Sequence, residues 1–309
     1  MSIILCVIDG MTDPRFRAED YPALSAMSRI RDRRAAPQGC EPESMTCILT
    51  ILGVTDIPPF LRGYVEALGS DVPVQKDDLI LRASWFAVED GRCTVPMPAP
   101  LEINMVVNAR YFCLGGYKSL LVLPGLAACA ESIGTYPFYR RSEQTVDNLR
   151  PTGNAILERI FDENCTDCSC MAPWGQSRMA DLPPFPRRAA VICGAEVVRG
   201  IAKLLNMALI HVPGATGDTD TDLEAKSDAA LQAAQDYPFV LLHINGADEA
   251  AHRRDAGQKK RFLSDVDRLV LRRLLYCGHT VFVTADHSSD PVSGLHGGVD
   301  QPVFWNRYS

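Results

Sequence analysis

The sequence predicts an α/β protein with a mostly parallel sheet flanked by helices, and three observations support this class. Short apolar runs alternate with amphipathic segments, polar residues stand where the apolar runs end, and 47% of the 309 residues are hydrophobic. Strand–helix alternation is typical of parallel sheets, because parallel neighbours need a long crossover. A chain of this length can bury a sizeable core, in two domains or in one domain with an insertion.

Five apolar segments are predicted as strands, because each is short and ends in a polar residue or glycine. They are IILCVID (3–9), AAVICG (189–194), MALIHVPG (207–214), FVLLHING (239–246) and HTVFVTAD (279–286). Four polar residues stand at or just after such ends: Asp9, Asp248, Asp286 and His287. Because parallel sheets bind ligands at the carboxyl ends of their strands, these residues are expected to meet at one edge.

Three segments between the strands are predicted as helices, because their apolar residues recur at helical spacing. They are GAEVVRGIAKLLN (194–206), DLEAKSDAALQAAQDY (222–237) and QKKRFLSDVDRLVLRRLLY (258–276).

The middle of the chain is less regular and is interrupted by TVPMPAP, LGGYKSLLVLPG and DLPPFPRR. These proline- and glycine-rich stretches indicate turns rather than long elements. We therefore expect a core formed by residues 1–73 and 185–309, and a smaller inserted α+β cap domain over residues 74–184. The hinges are expected near residues 71–73 and 182–186.

Charge and hydropathy exclude several classes of partner. The net charge is −7 and the sequence pI is near 5.4, without basic runs, which argues against nucleic acid and membrane surfaces. No apolar run approaches the roughly 20 residues that cross a bilayer. The opening MSIILCVIDG lacks a basic region and is predicted as a strand, not as a signal peptide. A cytoplasmic location and reduced thiols are therefore expected for the eleven cysteines.

One cysteine cluster has two interpretations. Cys165, Cys168 and Cys170 form a C-x2-C-x-C array that could hold zinc. No second C-x2-C pair or nearby histidine in the sequence supplies a fourth ligand. Free thiols in an ordinary loop are the simpler expectation.

Aspartates and histidines form the candidate site, although each pair alone has a structural explanation. Asp248 and His252 are four residues apart and share one helix face, but Asp248 could simply cap that helix while His252 is exposed. Asp286 and His287 are neighbours whose side chains normally diverge, unless the backbone turns at the strand end. His296 follows after a short loop.

Asp9 adds a further carboxylate at the end of the first predicted strand, where Gly10 permits a sharp turn. Mixed aspartate and histidine coordination suits Zn, Mn or Fe at a hydrolytic or phosphoryl-transfer site. Six such ligands from three strand ends indicate two ions, and a pair of ions about 4 Å apart can neutralise phosphate charge.

The chain resembles the archaeal-type cofactor-independent (2,3-bisphosphoglycerate-independent) phosphoglycerate mutases of the alkaline phosphatase superfamily. The similar stretches are VIDGMTD, ESMTCILTILGV, LRGYVEALG, DLILRASWFAVEDG, WGQ, GAEVVRGIAKLLNMALIHVPGATGDTDTD, FVLLHINGADEAAH and VTADHSSDPVSGLH. They follow the family's order from residue 3 to about residue 304. The resemblance implies an alkaline-phosphatase-like core with an inserted cap, and a cytoplasmic glycolytic isomerase.

The resemblance also implies roles for individual residues. One metal ion is expected on Asp248, His252 and His296, and the other on Asp9, Asp286 and His287, with Mn or Zn as the metals. Ser44 occupies the place of the family's metal-bound nucleophilic serine, ten residues before the residue that follows ILG. A serine that also caps the helix MTCILTILG would be compatible with this role, since helix N-termini favour anions. Arg62 and Arg82 match family arginines and are expected to bind the substrate.

The departures from the family pattern fall on the part that handles substrate. Met45 replaces the acidic residue after the serine, and Ala83-Ser84 replaces the usual Cys-Asn pair. Residues 117–119 are Tyr-Lys-Ser instead of tyrosine followed by Arg-His, the asparagine ahead of WGQ is missing, and the inserted region looks shortened. The sequence also ends before the family's usual final segment.

Three functions therefore remain open. The first is a mutase-like phosphotransferase that acts on a small phosphorylated acid through a phosphoserine. The second is a phosphomonoesterase with the same serine chemistry, which needs no water-excluding cap. The third is a non-catalytic paralogue that binds metal and a phosphorylated ligand.

Overall fold

The structure is a computed structural model of the 309-residue chain, and it describes residues 1–40, 42–105, 108–137, 144–298 and 300–306. The chain divides into two compact units. Unit 1 comprises Met1–Ile57 and Leu182–Ser309, and unit 2 comprises Pro58–Asp181.

The strands are β1 (Ile3–Ile8), β2 (Ser28–Arg34), β3 (Leu79–Glu89), β4 (Arg92–Pro96), β5 (Arg110–Gly115), β6 (Lys118–Leu123), β7 (Gln144–Thr145), β8 (Ser169–Ser177), β9 (Ala189–Ile192), β10 (Ala208–Leu209), β11 (Phe239–Ile244), β12 (Thr280–Thr284) and β13 (Asp300–Trp305). The helices are α1 (Pro22–Ala26), α2 (Ser44–Ile51), α3 (Arg62–Gly69), α4 (Val146–Leu149), α5 (Ala155–Asn164), α6 (Glu196–Leu204), α7 (Leu223–Asp236), α8 (Gly246–His252), α9 (Ala256–Val266) and α10 (Arg272–Leu275). A π-helical segment, Asp267–Leu271, joins α9 to α10.

Unit 1 contains a seven-stranded sheet in the order β10-β9-β11-β1-β12-β13-β2. The first five strands in this order pair in parallel, whereas β13 and β2 are antiparallel additions at one end. The predicted α/β class with a mostly parallel sheet is therefore confirmed. The predicted segment 207–214 was too long, because β10 stops at Leu209 and the chain turns at Pro213 and Gly214, where φ is +77°.

Both faces of this sheet are covered, as expected for parallel strands. On one face, Ile4 and Leu242 of the sheet share an apolar cluster with Ala230 of α7 and Phe262 of α9. Strand residues whose side chains point to the other face, such as Val7, are also fully buried. Burial on both faces explains why β1, β11 and β12 appear in the sequence as continuous apolar runs rather than as alternating patterns.

Unit 2 contains an antiparallel sheet with strand order β5-β6-β3-β4-β7, and β8 also pairs with β3. Leu79 and Leu81 of β3 pack in one apolar cluster with Leu157 and Ile160 of α5. Helix α3 packs against β3 and β8. For this reason residues 58–73 lie with unit 2, whereas the sequence analysis placed the boundary at residue 74.

In the part of the chain that the structure describes, no helix is long and apolar enough to span a lipid bilayer.

Candidate functional site

Three strand ends of unit 1 bring the predicted residues together. Strands β1 and β12 are parallel neighbours, so Asp9 after β1 and Asp286 after β12 emerge side by side. Gly10 makes the turn with φ +63°, and a Cβ atom there would lie 2.8 Å from Ser289 Oγ and 2.9 Å from Asp248 Cα. Only glycine combines this conformation with so close an approach.

Asp248 and His252 project from α8, which begins directly after β11. The N-cap of α8 is Asn245, so Asp248 does not cap the helix. Its carboxylate instead contacts two imidazoles: Oδ2 lies 3.1 Å from His252 Nε2, and Oδ1 lies 3.4 Å from His296 Nε2. The three ligand atoms lie within 4.8 Å of one another, which brings together the first predicted ligand set.

Backbone carbonyls determine which nitrogens of this set face inward. His252 Nδ1 lies 2.9 Å from the Gly294 carbonyl, and His296 Nδ1 lies 3.0 Å from the Pro42 carbonyl. Because a carbonyl only accepts, both Nδ1 atoms carry the hydrogen and donate it. The two Nε2 atoms, 3.2 Å apart, therefore face each other and Asp248. This is the arrangement in which histidines bind metal while an outer carbonyl holds the ring.

In the absence of an ion, the charges of Asp248, His252 and His296 shift one another's pKa values. Although burial opposes it, the charges of His252 and His296 hold the pKa of Asp248 well below its usual range. Burial also acts against a charged His252, yet the Asp248 carboxylate raises the His252 pKa to about 9. Burial and the neighbouring His287 lower the pKa of His296 to about 4. A proton thus stays on His252, and a divalent ion would take its place.

The residues of the second predicted set also lie close together. His287 Nε2 lies 3.5 Å from Asp9 Oδ1 and 3.4 Å from Asp286 Oδ2. Both carboxylates are fully or almost fully buried, and Asp9 Oδ1 and Asp286 Oδ2 have no hydrogen-bond partner. Burial and the adjacent carboxylates raise the pKa of Asp9 well above its usual range, and burial with the Asp248 charge raises that of Asp286 to about 7. Buried, unpaired carboxylate oxygens fit a divalent cation.

A second histidine beside the Asp9 and Asp286 carboxylates was missed by the sequence analysis. His243 lies inside β11, and its Nε2 is 3.5 Å from Asp9 Oδ2. Asp9, His243 and Asp286 form a further group whose ligand atoms lie within 4.8 Å of one another. The signal in the sequence is one imidazole in the otherwise apolar run FVLLHI, which was interpreted only as a strand.

Ser44 is the first residue of α2, and its Oγ lies 3.1 Å from His287 Nε2. Ser44 does not cap this helix, which was the alternative explanation for its position. The cap is Glu43, whose carboxylate accepts from the amides of Met45 and Thr46 at 3.4 and 3.2 Å. These amides are therefore already paired, while the Ser44 hydroxyl remains directed at His287.

A buried lysine supports the loops that carry the ligands. Lys259 Nζ donates to the carbonyls of Thr12 (3.2 Å) and Ser289 (2.6 Å), and its ammonium lies 3.1 Å from Asp13 Oδ2. Ser289 Oγ in turn donates a hydrogen bond to Asp248. Lys259 thus ties the loop after β1 to the loop after β12.

Arg62 and Arg82 lie in unit 2 and share one partner, the buried Glu66. Arg62 Nε is 2.8 Å from Glu66 Oε1, and Arg82 pairs with Oε2. Although burial opposes it, the two guanidiniums lower the pKa of Glu66 to about 2. Both arginines also approach the Trp174 ring, at 5.0 and 5.8 Å. Their role in substrate binding stays a prediction.

The cysteine array does not assemble into a metal site. Cys168 is exposed, Cys165 is partly buried and Cys170 is buried. Within the described ranges, the groups of ligand atoms close enough to share an ion contain none of the three cysteines. They are free thiols.

A parallel α/β core that gathers aspartates and histidines at its strand ends defines a metal-dependent enzyme. The chain belongs to the Metalloenzyme superfamily, whose sequence profile matches residues 1–303. A 2,3-bisphosphoglycerate-independent phosphoglycerate mutase of Methanopyrus kandleri is 26% identical in an alignment that covers 97% of this chain and 86% of that protein. The resemblance inferred from the sequence is thus confirmed.

Two solved structures share the fold. The PH0037 protein from Pyrococcus horikoshii gives a TM-score of 0.68 at 18% identity, over 99% of this chain and 87% of that one. A cofactor-independent phosphoglycerate mutase from Thermoplasma acidophilum gives 0.53 at 19% identity, over 98% of this chain and 89% of its own.

Proposed function

We propose that this protein transfers a phosphoryl group within a small phosphorylated acid, through a phosphoserine at Ser44 and with two divalent ions. The substrate pair is 2- and 3-phosphoglycerate or a similar acid. The observation that carries the proposal is the Ser44 hydroxyl, 3.1 Å from His287 Nε2 and beside two sets of buried ligands. The names of the archaeal relatives support the substrate class.

Each ion has its own ligands in this proposal. One is held by Asp248, His252 and His296, and the other by Asp9, Asp286, His287 and Ser44. Mixed carboxylate and imidazole donors suit Mn or Zn. When bound, such ions would lower the pKa of the serine hydroxyl and neutralise phosphoryl charge.

The two chemical steps at Ser44 follow from this arrangement. Ser44 Oγ gives up its proton and forms a bond to phosphorus, while the phosphate ester bond of the substrate breaks and the departing oxygen takes a proton. The second step is the reverse exchange, onto the other hydroxyl of the bound acid. Splitting one displacement in two is the usual benefit of an enzyme nucleophile.

Arg62 and Arg82 are proposed to bind the acid. The two guanidiniums flank the carboxylate of Glu66, which holds them close together. Guanidiniums suit an anionic substrate, because they bind carboxylate and phosphate groups bidentately.

A second candidate function is a metal-dependent phosphomonoesterase. Its support is that Arg82 is almost fully buried and already paired with Glu66, which reduces what it can offer to a substrate. An assay with Mn, Zn and Co on 3-phosphoglycerate and p-nitrophenyl phosphate separates the functions. Interconversion of phosphoglycerates indicates the mutase, phosphate release alone indicates the phosphatase, and neither indicates a non-catalytic paralogue.

Ser44→Ala tests the nucleophile. The variant should fold and keep most of its metal, because it loses only one weak oxygen ligand. Turnover should fall at least about 1,000-fold, as is usual when a nucleophile is removed. Ser25→Ala, at an exposed serine of α1, is the control and should behave as wild type.

Mass spectrometry of wild-type enzyme quenched in acid with substrate should show one phosphate on the peptide that carries Ser44. Normal turnover by Ser44→Ala, or a phosphate on another residue, would contradict the proposal and favour water as the nucleophile.

A further inference from the structure

His243 is a buried histidine whose ring has no hydrogen-bond partner. The residue is 0% exposed, and both Nδ1 and Nε2 are unpaired. A neutral imidazole offers one donor and one acceptor, and water satisfies both in the unfolded chain. Burying such a ring without partners is unfavourable, so two ring nitrogens without hydrogen bonds need an explanation.

The two carboxylates near this ring also carry oxygens without a hydrogen-bond partner. Asp9 Oδ1 and Asp286 Oδ2 are buried and unpaired. One ligand atom from each of Asp9, Asp286 and His243 lies within 4.8 Å of the other two. Electron pairs that converge in a buried space repel one another, unless a cation lies among them.

The two oxygens of Asp9 face two different imidazoles. Oδ1 is 3.5 Å from His287 Nε2, and Oδ2 is 3.5 Å from His243 Nε2. His243 could instead donate a hydrogen bond that only orients Asp9. However, 3.5 Å is long for such a hydrogen bond. Neither nitrogen of the His243 ring has a hydrogen-bond partner.

We propose that His243 is a further protein ligand of the divalent ion at the Asp9–Asp286 carboxylate pair. The proposal rests on the metal centre of the proposed function, and adds a residue to it. The Asp9 carboxylate would then lie between two ligating imidazoles, those of His243 and His287. Imidazole suits zinc better than manganese or magnesium, whose preferred ligands are oxygens. His243 therefore also biases this position toward zinc.

The test uses the full chain and zinc, cobalt or manganese salts as probes, with His243→Gln as the variant. His211→Gln is the matched control, because His211 is exposed on the loop after β10. Metal content after dialysis and zinc affinity are measured for each protein. The visible absorption of cobalt-loaded protein reports the ligand field, and circular dichroism reports folding.

We expect His243→Gln to lose one ion, or to bind zinc at that position at least about 100-fold more weakly, because even outer partners of metal ligands contribute 10–100-fold. Manganese affinity should fall less than zinc affinity. The cobalt spectrum should change, and His211→Gln should match wild type. A folded His243→Gln protein with unchanged zinc affinity and an unchanged cobalt spectrum would overturn the proposal.

A measurement on the wild-type protein covers the case in which the variant does not fold. NMR of protein with isotope-labelled histidine should show a change of the His243 ring nitrogens when zinc is added. Unchanged His243 signals at full zinc loading would overturn the proposal. The outcome is separable from that of the proposed function, since zinc on His243 in a protein without phosphoryl transfer would refute only the latter.

Discussion

At the scale of single residues, the site depends on backbone carbonyls that hold its histidines. Gly294 and Pro42 accept from the Nδ1 atoms of His252 and His296, and neither contributes a side chain to the site. Their carbonyls nevertheless fix the tautomers that turn Nε2 inward. Substitutions that shift either loop should therefore affect metal binding without removing a ligand.

His296→Ala should remove about one of the two ions, because His296 is one of three ligands in its set. Elemental analysis of protein reloaded with manganese or zinc measures the metal content. His211→Ala, at an exposed histidine, should retain both ions. Undiminished metal in His296→Ala would show that this set does not hold an ion.

The sequence was sufficient to locate the polar residues at or after strand ends, but not the histidine inside a strand. Asp9 and Asp286 could be found because polar residues interrupt apolar runs there. His243 could not be distinguished from an ordinary strand residue, since only the register of β11 against β1 places it opposite Val7, two residues from Asp9. The role of Glu43 as a helix cap was missed because cap residues are usually smaller. The burial of Lys259 was missed because lysine is common on exposed helix faces, and the helix has mixed charge.

At the scale of elements, the apolar strands were predictable and the charged edge strand β2 was not. Strands β1, β11 and β12 are apolar because both of their sides are covered. Strand β2 has the sequence SRIRDRR and is mostly exposed at the end of the sheet. Edge strands commonly carry charges that prevent pairing with other chains, so their sequences lack the apolar pattern used for prediction.

Helix α9 should stabilise the site through Lys259. Lys259→Met would remove the buried ammonium that donates to two carbonyls and pairs with the Asp13 carboxylate. We expect the free energy of unfolding to fall by about 3 kcal/mol, as for other broken buried ion pairs. Metal affinity should also fall, because Ser289 loses its support. Denaturant titration and metal titration measure the two effects.

The neighbouring Lys260 provides the control, since it lies on the same helix but is exposed. Lys260→Met should change stability by less than about 0.5 kcal/mol. Equal effects of the two substitutions would argue against the proposed support.

At the scale of the whole molecule, metal binding and pH should be linked. Folding raises the pKa of Asp286 from 3.8 to about 7 and that of His252 from 6.5 to about 9. The ion-free folded state therefore holds protons that the unfolded state has lost, and its stability falls as pH rises through these ranges. An ion requires both groups deprotonated, so its binding strengthens with pH.

The increase in Tm caused by metal should consequently be larger at pH 9 than at pH 6. Differential scanning calorimetry with and without zinc or manganese measures this increase at each pH. A metal-induced increase that does not depend on pH, or that is larger in acid, would contradict the assigned ligands.

The position of β1 in the sheet has a consequence for the order of events during synthesis. Ile3 of β1 pairs with Phe239 of β11 and with Thr280 of β12, so β1 leaves the ribosome long before either of its partner strands. Unit 2 is one continuous segment and is complete before either partner strand exists, so it can begin to fold first. Among the described residues, each group of ligand atoms close enough to share an ion includes a residue between 286 and 296. A nascent chain therefore contains no complete group until residue 286 has been made.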